Sequence, residues 1–392
     1  MLSPGLVRAR ERIRALSHLN AFLSLVDDEG AGPTVAVKDL IDVRGSVTTA
    51  GSPIPARTPA PEDAEVVRRL RRFGCVIVGK TNLNEWAFGA TGKNAHFGSA
   101  LNPRDPTRMS GGSSSGSAIA VACGMSDWAI GTDTGGSIRI PASLCGVVGF
   151  KPTLGTISTH GVVPLSPSLD TVGPLAPSVS AVSEAFGVMA GIDPPPVDEP
   201  LPLERLRLAT PAGWIDDLDE QTGLVWAQTT ARLLFDEICF PDLAWAIDIG
   251  TTILRVEGAA ILRQRLIAWP NMFEPGTRKR IEQGMEARGV DYFDALRGMT
   301  QFRKDAEGAL TDWDALVLPT TACAAPLLEE EDVNEPLTRF TRPFNVSGQP
   351  AVSLPVPRSG LPVGIQLVGH FGQDARLLRV ALAVERALAD WP

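Results

Sequence analysis

The chain has 392 residues, which suffices for one large domain or for two to three ordinary ones. Hydrophobic residues make up 44% of it, a content typical of a globular protein with a substantial core. The formal net charge of −9 argues against nucleic acid or an anionic membrane as the main partner.

The first predicted element is an N-terminal helix over about residues 3 to 27. Charged and aliphatic side chains alternate there at helical spacing, with Ser3 suited to the N-cap and Pro4 to the first helical position. The segment has no uninterrupted apolar core, so we do not expect a secretory signal. No stretch of the chain approaches eighteen apolar residues without a break, and a membrane span is therefore not expected.

The next predicted element is a buried strand that begins at Thr34 in the segment TVAVKDLIDV. It contains Lys38, one of only six lysines in the chain. A charged ammonium on an apolar strand costs several kcal/mol unless it is paired or loses its proton. A lysine at this position therefore requires a chemical explanation.

Helices and strands alternate through the rest of the first half. Residues 61–73 have acidic side chains in the first turn, basic ones in the last turns and Gly74 directly after them, which are the start and stop signals of a helix. A buried strand is predicted over 75–81, a small-residue helix over 116–123 and another strand over 127–133. This alternation indicates a parallel or mixed sheet covered by helices.

The second half follows a Pro-rich, linker-like stretch over residues 191–202. We expect a strand over 205–211, a long helix over about 219–238 and several helices within 255–310. The chain then returns to the sheet with strands near 315–320, 351–356 and 363–369 and a closing helix over 373–389. Because both ends of the chain contribute strands to one sheet, the predicted fold class is α/β, with residues 1–392 in a single large domain.

The five cysteines and four histidines do not indicate a metal centre. The cysteines lie far apart in apolar contexts, without a CxxC pair or a ligand cluster shared with the histidines. We therefore expect buried free thiols in a reducing cytoplasm, no metal ion and no cofactor. His96, His160 and His370 are interpreted as loop or core residues.

Two Gly/Ser-rich segments carry the strongest chemical signal, SGGSSSGSAIAVA from Ser110 and GTDTGGSIRIPASLCG from Gly131. Glycines around a serine let backbone N–H groups approach a ligand closely, which is how an oxyanion hole is built. In the second segment we expect four amides to converge on one developing negative charge, those of Thr134, Gly135, Gly136 and Ser137.

Other interpretations of these segments remain open at this point. A Gly/Ser loop is most often only a turn, and neither segment matches the GxxxxGK[ST] phosphate-binding loop. Residues 112–116 fit the GxSxG nucleophile elbow, which would make Ser114 the nucleophile of an α/β-hydrolase and His370 its base. Against that interpretation, the segment before the serine run is loop-like and contains no strong apolar strand.

Together, the lysine strand and the two Gly/Ser segments resemble the amidase signature family, whose motif reads GGSS(G/S)GS and then GTDxGGSIRxP. Similar segments include GKTNLNEWAFG, CGVVGFKPTLGTIS, DTVGPLA and GLPVGIQLVG. The resemblance covers a signature core of about residues 30–180 and a C-terminal part of about 313–390. Residues 185–310 match weakly and form a variable region. The resemblance implies a single domain whose mixed central sheet has helices on both faces.

The resemblance also implies a Ser–Ser–Lys catalytic triad. Ser137 corresponds to the nucleophile, Ser113 to the bridging serine and Lys38 to the general base. Such a base must be neutral near pH 7, which burial in an apolar strand would allow. Family members typically have a cis peptide before the bridging serine, which is the Gly112–Ser113 bond here.

Three further residues are expected in supporting roles. Ser114 is predicted to hydrogen-bond within its own loop. Asp133 is predicted either to tie the two Gly/Ser segments together through backbone amides or to form a plain Asx turn. Arg139 would either anchor a substrate carboxylate or pair with an acidic side chain, and we favour the pairing.

The activity implied by the resemblance is hydrolysis of a carboxamide C–N bond, releasing an acid and ammonia or an amine. A small polar substrate, such as a dicarboxylic half-amide or a urea-like compound, is favoured by the shortness of the variable region, and a homodimer is common in the family. One alternative is a glutaminase subunit of a tRNA-dependent amidotransferase, although such subunits are longer. Another is a catalytically silent scaffold or binding subunit.

Overall fold

A computed structural model describes residues 3–54, 58–195 and 201–389. In that part of the chain eleven strands form one sheet. In chain order they are β1 (Phe22–Leu25), β2 (Thr34–Lys38), β3 (Val76–Thr81), β4 (Trp128–Asp133), β5 (Val148–Lys151), β6 (Thr171–Ala176), β7 (Leu208–Pro211), β8 (Asp236–Ile238), β9 (Ala315–Pro319), β10 (Ala351–Pro355) and β11 (Gly364–Val368).

The same residues contain twelve α-helices. They are α1 (Pro4–Ala15), α2 (Glu65–Phe73), α3 (Ser115–Ala122), α4 (Arg139–Cys145), α5 (Val179–Ala190), α6 (Glu220–Arg232), α7 (Leu243–Ala268), α8 (Pro275–Glu286), α9 (Gly289–Ala309), α10 (Asn334–Thr338), α11 (Pro343–Val346) and α12 (Asp374–Ala389). None of the described helices is both long and apolar enough to cross a membrane.

The strand order across the sheet is β1–β3–β2–β4–β6–β5–β10–β11–β9–β7–β8. Strands β3, β2 and β4 run parallel to one another, as do β9, β7 and β8. The remaining neighbours pair antiparallel. The prediction of one α/β domain with a mixed sheet is therefore confirmed, and both ends of the chain contribute strands.

Helices cover both faces of the sheet, as expected. Side chains of a strand alternate between its two faces, and β4 illustrates the result. Trp128 and Ile130 belong to a core that includes residues of α2, α5 and α12, whereas Ala129 belongs to a second core with residues of α3 and α4. Strands buried on both faces explain why β2, β3 and β4 read as nearly continuous apolar runs.

The N-terminal helix predicted over residues 3 to 27 is too long. Helix α1 starts at the Ser3 N-cap, whose hydroxyl accepts from the Leu6 N–H at 3.2 Å, but it ends at Ala15. Asn20 then adopts a left-handed conformation with φ 53°, which asparagine tolerates better than most residues. After this turn, residues 22–25 pair antiparallel with β3 instead of continuing the helix.

The long helix predicted over 219–238 is also wrong in its second part. Helix α6 starts after Asp219, whose carboxylate accepts from the Thr222 N–H at 2.7 Å, and ends at Arg232. Leu233 is already extended, and it packs with Phe235 against the same core. Burial of every second side chain is typical of a strand, and the chain continues directly into β8, which pairs with β7 at the edge of the sheet.

Other predicted elements differ at their ends or in exposure. Helix α2 begins at Glu65 instead of residue 61, and α7 begins at Leu243 instead of 255. Residues 196–200 of the Pro-rich stretch lie outside the described residues. The cysteines are free, but only Cys75 and Cys145 are buried and Cys239 is exposed, which corrects the expectation of five buried thiols.

Candidate active site

Lys38 lies at the carboxyl end of β2, between β3 and β4. Its side chain is fully buried, so it is not a surface lysine. Burial lowers the pKa of Lys38 from 10.5 to about 7, although the carboxylates of Asp133 and Asp170 act in the opposite direction. A substantial fraction of this amine is therefore neutral at neutral pH.

The Lys38 amine contacts Ser113 and Thr132. Its Nζ lies 2.7 Å from Ser113 Oγ, 2.7 Å from Thr132 Oγ1 and 3.5 Å from the Thr132 carbonyl oxygen. A neutral amine has one lone pair and two N–H groups. This arrangement lets it accept from the Ser113 hydroxyl while both N–H groups donate to Thr132.

The sequence analysis did not identify Thr132. Only part of the signal was available in the strand pairing, because β2 and β4 are parallel and Val37 lies opposite Ile130. Thr132, two residues beyond Ile130, is thereby placed at the same end of the sheet as Lys38. Strand alternation, however, assigns its side chain to the face of Val37 and not to that of Lys38, so the contact itself could not be predicted.

Ser113 is buried in the loop before α3, and the Gly112–Ser113 peptide bond is cis, as expected. Gly112 donates its N–H to the Ala90 carbonyl at 2.7 Å. A Cβ at Gly112 would collide with Asn84 Oδ1, so only glycine fits there. Asn84 was missed in the sequence analysis, and it also accepts from the Gly92 N–H at 3.0 Å. Asn84 and Gly112 thereby fix the backbone that carries Ser113.

Ser137 lies in the tight turn between β4 and α4, with 8% of its surface exposed. The preceding Gly136 has a φ of 125°, and a Cβ there would collide with the Thr341 hydroxyl. Thr341 Oγ1 in turn donates to the Gly135 carbonyl at 2.8 Å. The turn that presents Ser137 to the cleft is therefore supported from behind by the C-terminal part of the chain.

Ser114 joins the two Gly/Ser segments, which corrects its predicted role. Its hydroxyl does not bond within its own loop but donates to the Thr132 carbonyl at 3.1 Å and accepts from the Thr132 N–H at 3.3 Å. The Ser114 N–H also donates to the Ser137 carbonyl at 3.1 Å. These bonds hold the Ser113 and Ser137 loops together.

The structure does not bring Ser114 and His370 together as a nucleophile elbow requires. Ser114 is fully buried and its hydroxyl bonds the backbone of β4. The His370 ring contacts Glu307 Oε1 at 2.7 Å and the Trp313 carbonyl at 2.9 Å. His370 is therefore a packing residue near α9, in agreement with its interpretation as a structural histidine.

Asp133 and Arg139 form a buried ion pair beneath the nucleophile turn. Arg139 Nε lies 3.0 Å from Asp133 Oδ2, and Nη2 lies 2.9 Å from Oδ1. Although burial alone would raise the pKa of the Asp133 carboxyl, Arg139 and the surrounding hydrogen bonds hold that pKa well below its ordinary value. Of the two predicted roles for Arg139, the structure favours pairing with an acid over anchoring a substrate.

Asp133 adopts one of its two predicted roles, the Asx turn, and it also corrects the expectation that four amides converge on an oxyanion. It accepts from the N–H groups of Gly136 at 2.8 Å and Ile138 at 3.1 Å, an arrangement of the Asx type inside one segment and not a tie between two. The Gly136 N–H is thus engaged and does not point to an oxyanion. Thr134, Gly135 and Ser137 line the cleft, and the role of their amides in an oxyanion hole stays a prediction.

The cleft in front of Ser137 has a volume of about 560 Å³, including its opening to solvent. Apolar side chains form part of its wall, among them Phe88, Ile140, Leu165 and Leu254. Further lining residues come from α7 and α8, within the region that matches the family motif weakly. In the described part of the chain, no three His, Cys, Asp or Glu side chains are grouped so that they could hold a metal ion.

Comparisons with known proteins found similar sequences over most of the chain. A family model described as Amidase matches residues 31–213 and 232–378. A glutamyl-tRNA(Gln) amidotransferase subunit from Chloroflexus aurantiacus is 35% identical over 92% of this chain and 83% of its own length. AtzE, a 1-carboxybiuret hydrolase subunit from a Pseudomonas species, is 34% identical over 91% of this chain and 84% of its own length.

Two solved structures are similar over almost the whole chain. A crystal structure described as an amidase superposes with a TM-score of 0.90 at 34% identity, covering 98% of this chain and 95% of the other. The corresponding glutamyl-tRNA(Gln) amidotransferase subunit from Thermotoga maritima superposes with a TM-score of 0.84 at 30% identity, covering 97% of this chain and 90% of the other.

Proposed function

The chain belongs to the amidase family, whose members act on C–N bonds, and we propose that it hydrolyses a carboxamide through an acyl-enzyme on Ser137. One observation carries this proposal. The fully buried Lys38 amine, with a pKa of about 7, lies 2.7 Å from the Ser113 hydroxyl. A neutral amine in hydrogen-bond contact with a serine is suited to remove a proton at neutral pH.

In the proposed reaction the proton moves from Ser137 through Ser113 to Lys38. The Ser137 oxygen forms a bond to the carbonyl carbon, and the negative charge that develops on the carbonyl oxygen is stabilised by N–H groups of the nucleophile turn. The proton then returns through Ser113 to the leaving nitrogen as the C–N bond breaks. A water molecule then attacks the acyl carbon while Lys38 takes its proton through Ser113. The bond between the acyl carbon and the Ser137 oxygen breaks, the proton returns to Ser137, and the acid is released.

The position of Lys38 supports its role as the base and not as a fixed charge. Within the described residues, an ammonium in this strand would lack a carboxylate at ion-pair distance, since its close contacts are the oxygens of Ser113 and Thr132. A buried lysine in such surroundings loses its proton more easily. An arginine at position 38 would stay charged at any working pH and could not act as a base.

Labelling with a fluorophosphonate probe tests the nucleophile directly. We expect the probe to modify Ser137, and we expect Ser137→Ala to abolish both labelling and turnover without unfolding the protein. Turnover is measured as ammonia or amine release from a panel of primary amides, anilides, ureas and carbamates. Modification of Ser114 instead would contradict the proposal and favour the elbow interpretation.

A second candidate function is that of a glutaminase subunit in an amidotransferase. It is favoured by the 35% identity with the amidotransferase subunit from Chloroflexus aurantiacus over 92% of this chain. Such a subunit would pass ammonia to a partner protein, whereas the first candidate acts alone or as a homodimer. Ammonia release from many amides but not preferentially from glutamine, by a chain that elutes as a monomer or homodimer, would argue for the stand-alone amidase.

A further inference from the structure

The cleft that contains Ser137 is strongly cationic. Three arginines line it, Arg255 on α7, Arg280 on α8 and Arg342 directly before α11. Among the described residues, none of the three forms an ion pair within 4.0 Å with a carboxylate. Arg139, by contrast, is paired with Asp133 through both carboxylate oxygens. The excess charge of the cleft is therefore a feature of these three side chains.

Arg342 is held beside the nucleophile turn. A Cβ placed on Gly135 would lie 3.5 Å from Arg342 Nε and 4.0 Å from Nη2. The stem of the side chain packs on α7, where a Cβ at Gly250 would come within 2.9 Å of Arg342 Cγ. Its Nη1 donates to Thr251 Oγ1 at 2.7 Å. The guanidinium is thus positioned next to the loop that presents Ser137.

Arg342 also has a donor that the protein does not use. Its Nε is buried and has no hydrogen-bond partner in the described part of the chain. Burial, together with the charges of Arg255 and Arg280, lowers the pKa of Arg342 to about 10. A buried donor without a partner is costly, and so is the repulsion among neighbouring cations. A bound anion would relieve both.

Arg280 is fixed at the same cleft. Its Nη1 donates to the Phe88 carbonyl at 2.9 Å, and its guanidinium carbon lies 5.8 Å from the centre of the Phe88 ring. Burial lowers the pKa of Arg280 from its ordinary value, and the charge of Arg255 acts in the same direction. Two positioned guanidinium groups, with a third nearby, therefore face one small cleft.

We propose that the cleft binds an amide that also carries a carboxylate, such as the half-amide of a short aliphatic dicarboxylic acid. The planar guanidinium groups of Arg342 and Arg280 match the geometry of a carboxylate. Ile140 and Leu254 supply an apolar wall for the methylene groups between the two ends. The inference rests on the proposed amidase activity, because it names the substrate class of the same site.

Binding to the inert Ser137→Ala protein tests this inference without turnover. Calorimetry compares malonamate, succinamate and glutaramate with malonamide, succinamide and glutaramide, in which an amide replaces the carboxylate. We expect at least one half-amide to bind about 10- to 100-fold more tightly than its diamide, as charge-assisted hydrogen bonds allow. Equal affinities for each pair, or no binding of any half-amide, would overturn the inference.

Arginine variants in the same background identify the groups responsible. Arg342→Met should reduce the ratio of half-amide affinity to diamide affinity to below about threefold. Arg280→Met serves as a second variant if the first unfolds. Arg278→Met is the matched control, because Arg278 lies on the same helix as Arg280 but is exposed and paired with Glu282 at 2.7 Å. Loss of the preference in the control, or its retention in both cleft variants, would contradict the assignment.

Activity of the unmodified enzyme separates this inference from the proposed function. If half-amides are preferred in binding but Ser137 is not labelled and no ammonia is released, the hydrolysis proposal fails and the carboxylate site stands. If Ser137 is labelled and diamides are hydrolysed as efficiently as half-amides, the amidase proposal stands and the carboxylate site fails.

Discussion

Replacing Lys38 with methionine should abolish turnover and also change how stability depends on pH. Burial lowers the pKa of this amine from 10.5 to about 7 in the folded protein, and unfolding restores the ordinary value. Between these two values the unfolded chain holds more protons than the folded one. The unfolding free energy contributed by Lys38 therefore rises with pH across this window.

The size of the effect follows from the two pKa values. At about 1.4 kcal/mol for each pH unit between them, the buried amine opposes folding by about 4 kcal/mol at pH 7 and by about 1 kcal/mol at pH 10. Methionine has a similar volume and carries no proton. The difference in unfolding free energy between the variant and the wild type should therefore be about 3 kcal/mol more favourable to the variant at pH 7 than at pH 10. The lost contacts with Ser113 and Thr132 add a penalty that depends little on pH.

Denaturation with guanidinium chloride at pH 7, 8.5 and 10 measures this difference. Lys151→Met is the matched control, since burial also lowers the pKa of Lys151 to about 7 while its amine donates to the Pro152 carbonyl at 3.1 Å. The Lys151→Met variant should show a similar pH-dependent difference in unfolding free energy from the wild type, while its kcat/KM stays within about tenfold of the wild-type value. If the difference in unfolding free energy between Lys38→Met and the wild type is the same at every pH, the argument for a neutral amine is refuted.

Four further outcomes are expected. The value of kcat/KM should rise with pH through about 7 and be roughly 50-fold lower at pH 5 than at pH 7, because only a neutral lysine accepts a proton; a flat profile would contradict this. Ser113→Ala should lower kcat at least about 100-fold in the same assay, and near-normal turnover would place the proton transfer elsewhere. Arg139→Met should lower the unfolding free energy by about 3 to 5 kcal/mol, since the Asp133 carboxylate is left buried without its partner, and an unchanged denaturation midpoint would argue against the pair. His370→Ala should change kcat/KM less than about threefold, whereas a severe loss would support a Ser114-based hydrolase.

Local sequence signals were sufficient to single out Lys38, the two Gly/Ser segments and the strands beside them, whereas the choice of Ser113 came from the resemblance to the amidase signature family. A charged residue in a short apolar run and glycines around a serine are visible within a few residues of one another. Errors arose where tertiary pairing decides the conformation. Residues 22–25 and 236–238 continue helical patterns in the sequence, but each forms an edge strand because a neighbouring strand is available for pairing.

Contacts between distant parts of the chain could not be predicted in the same way. Arg342 lies beside Gly135 although about 200 residues separate them, and nothing in either segment indicates the other. The engagement of the Gly136 N–H by Asp133 depends on backbone geometry that the motif letters do not specify. Thr132 is an intermediate case, because the parallel pairing of β2 and β4 places it at the same end of the sheet as Lys38, while strand alternation does not predict the contact between their side chains.

The buried guanidinium of Arg139 has a consequence for the order in which the enzyme matures during synthesis. Its remaining donors bind the Thr341 carbonyl, Asn345 Oδ1 and Gln366 Oε1, all more than 200 residues further along the chain. Ser137 therefore leaves the ribosome long before the groups that support its turn. A nascent chain that ends before Gln366 contains Lys38, Ser113 and Ser137 but holds an incompletely satisfied cation beneath the turn. We therefore expect Ser137 to become reactive only after Gln366 has been synthesised and has reached the Arg139 guanidinium.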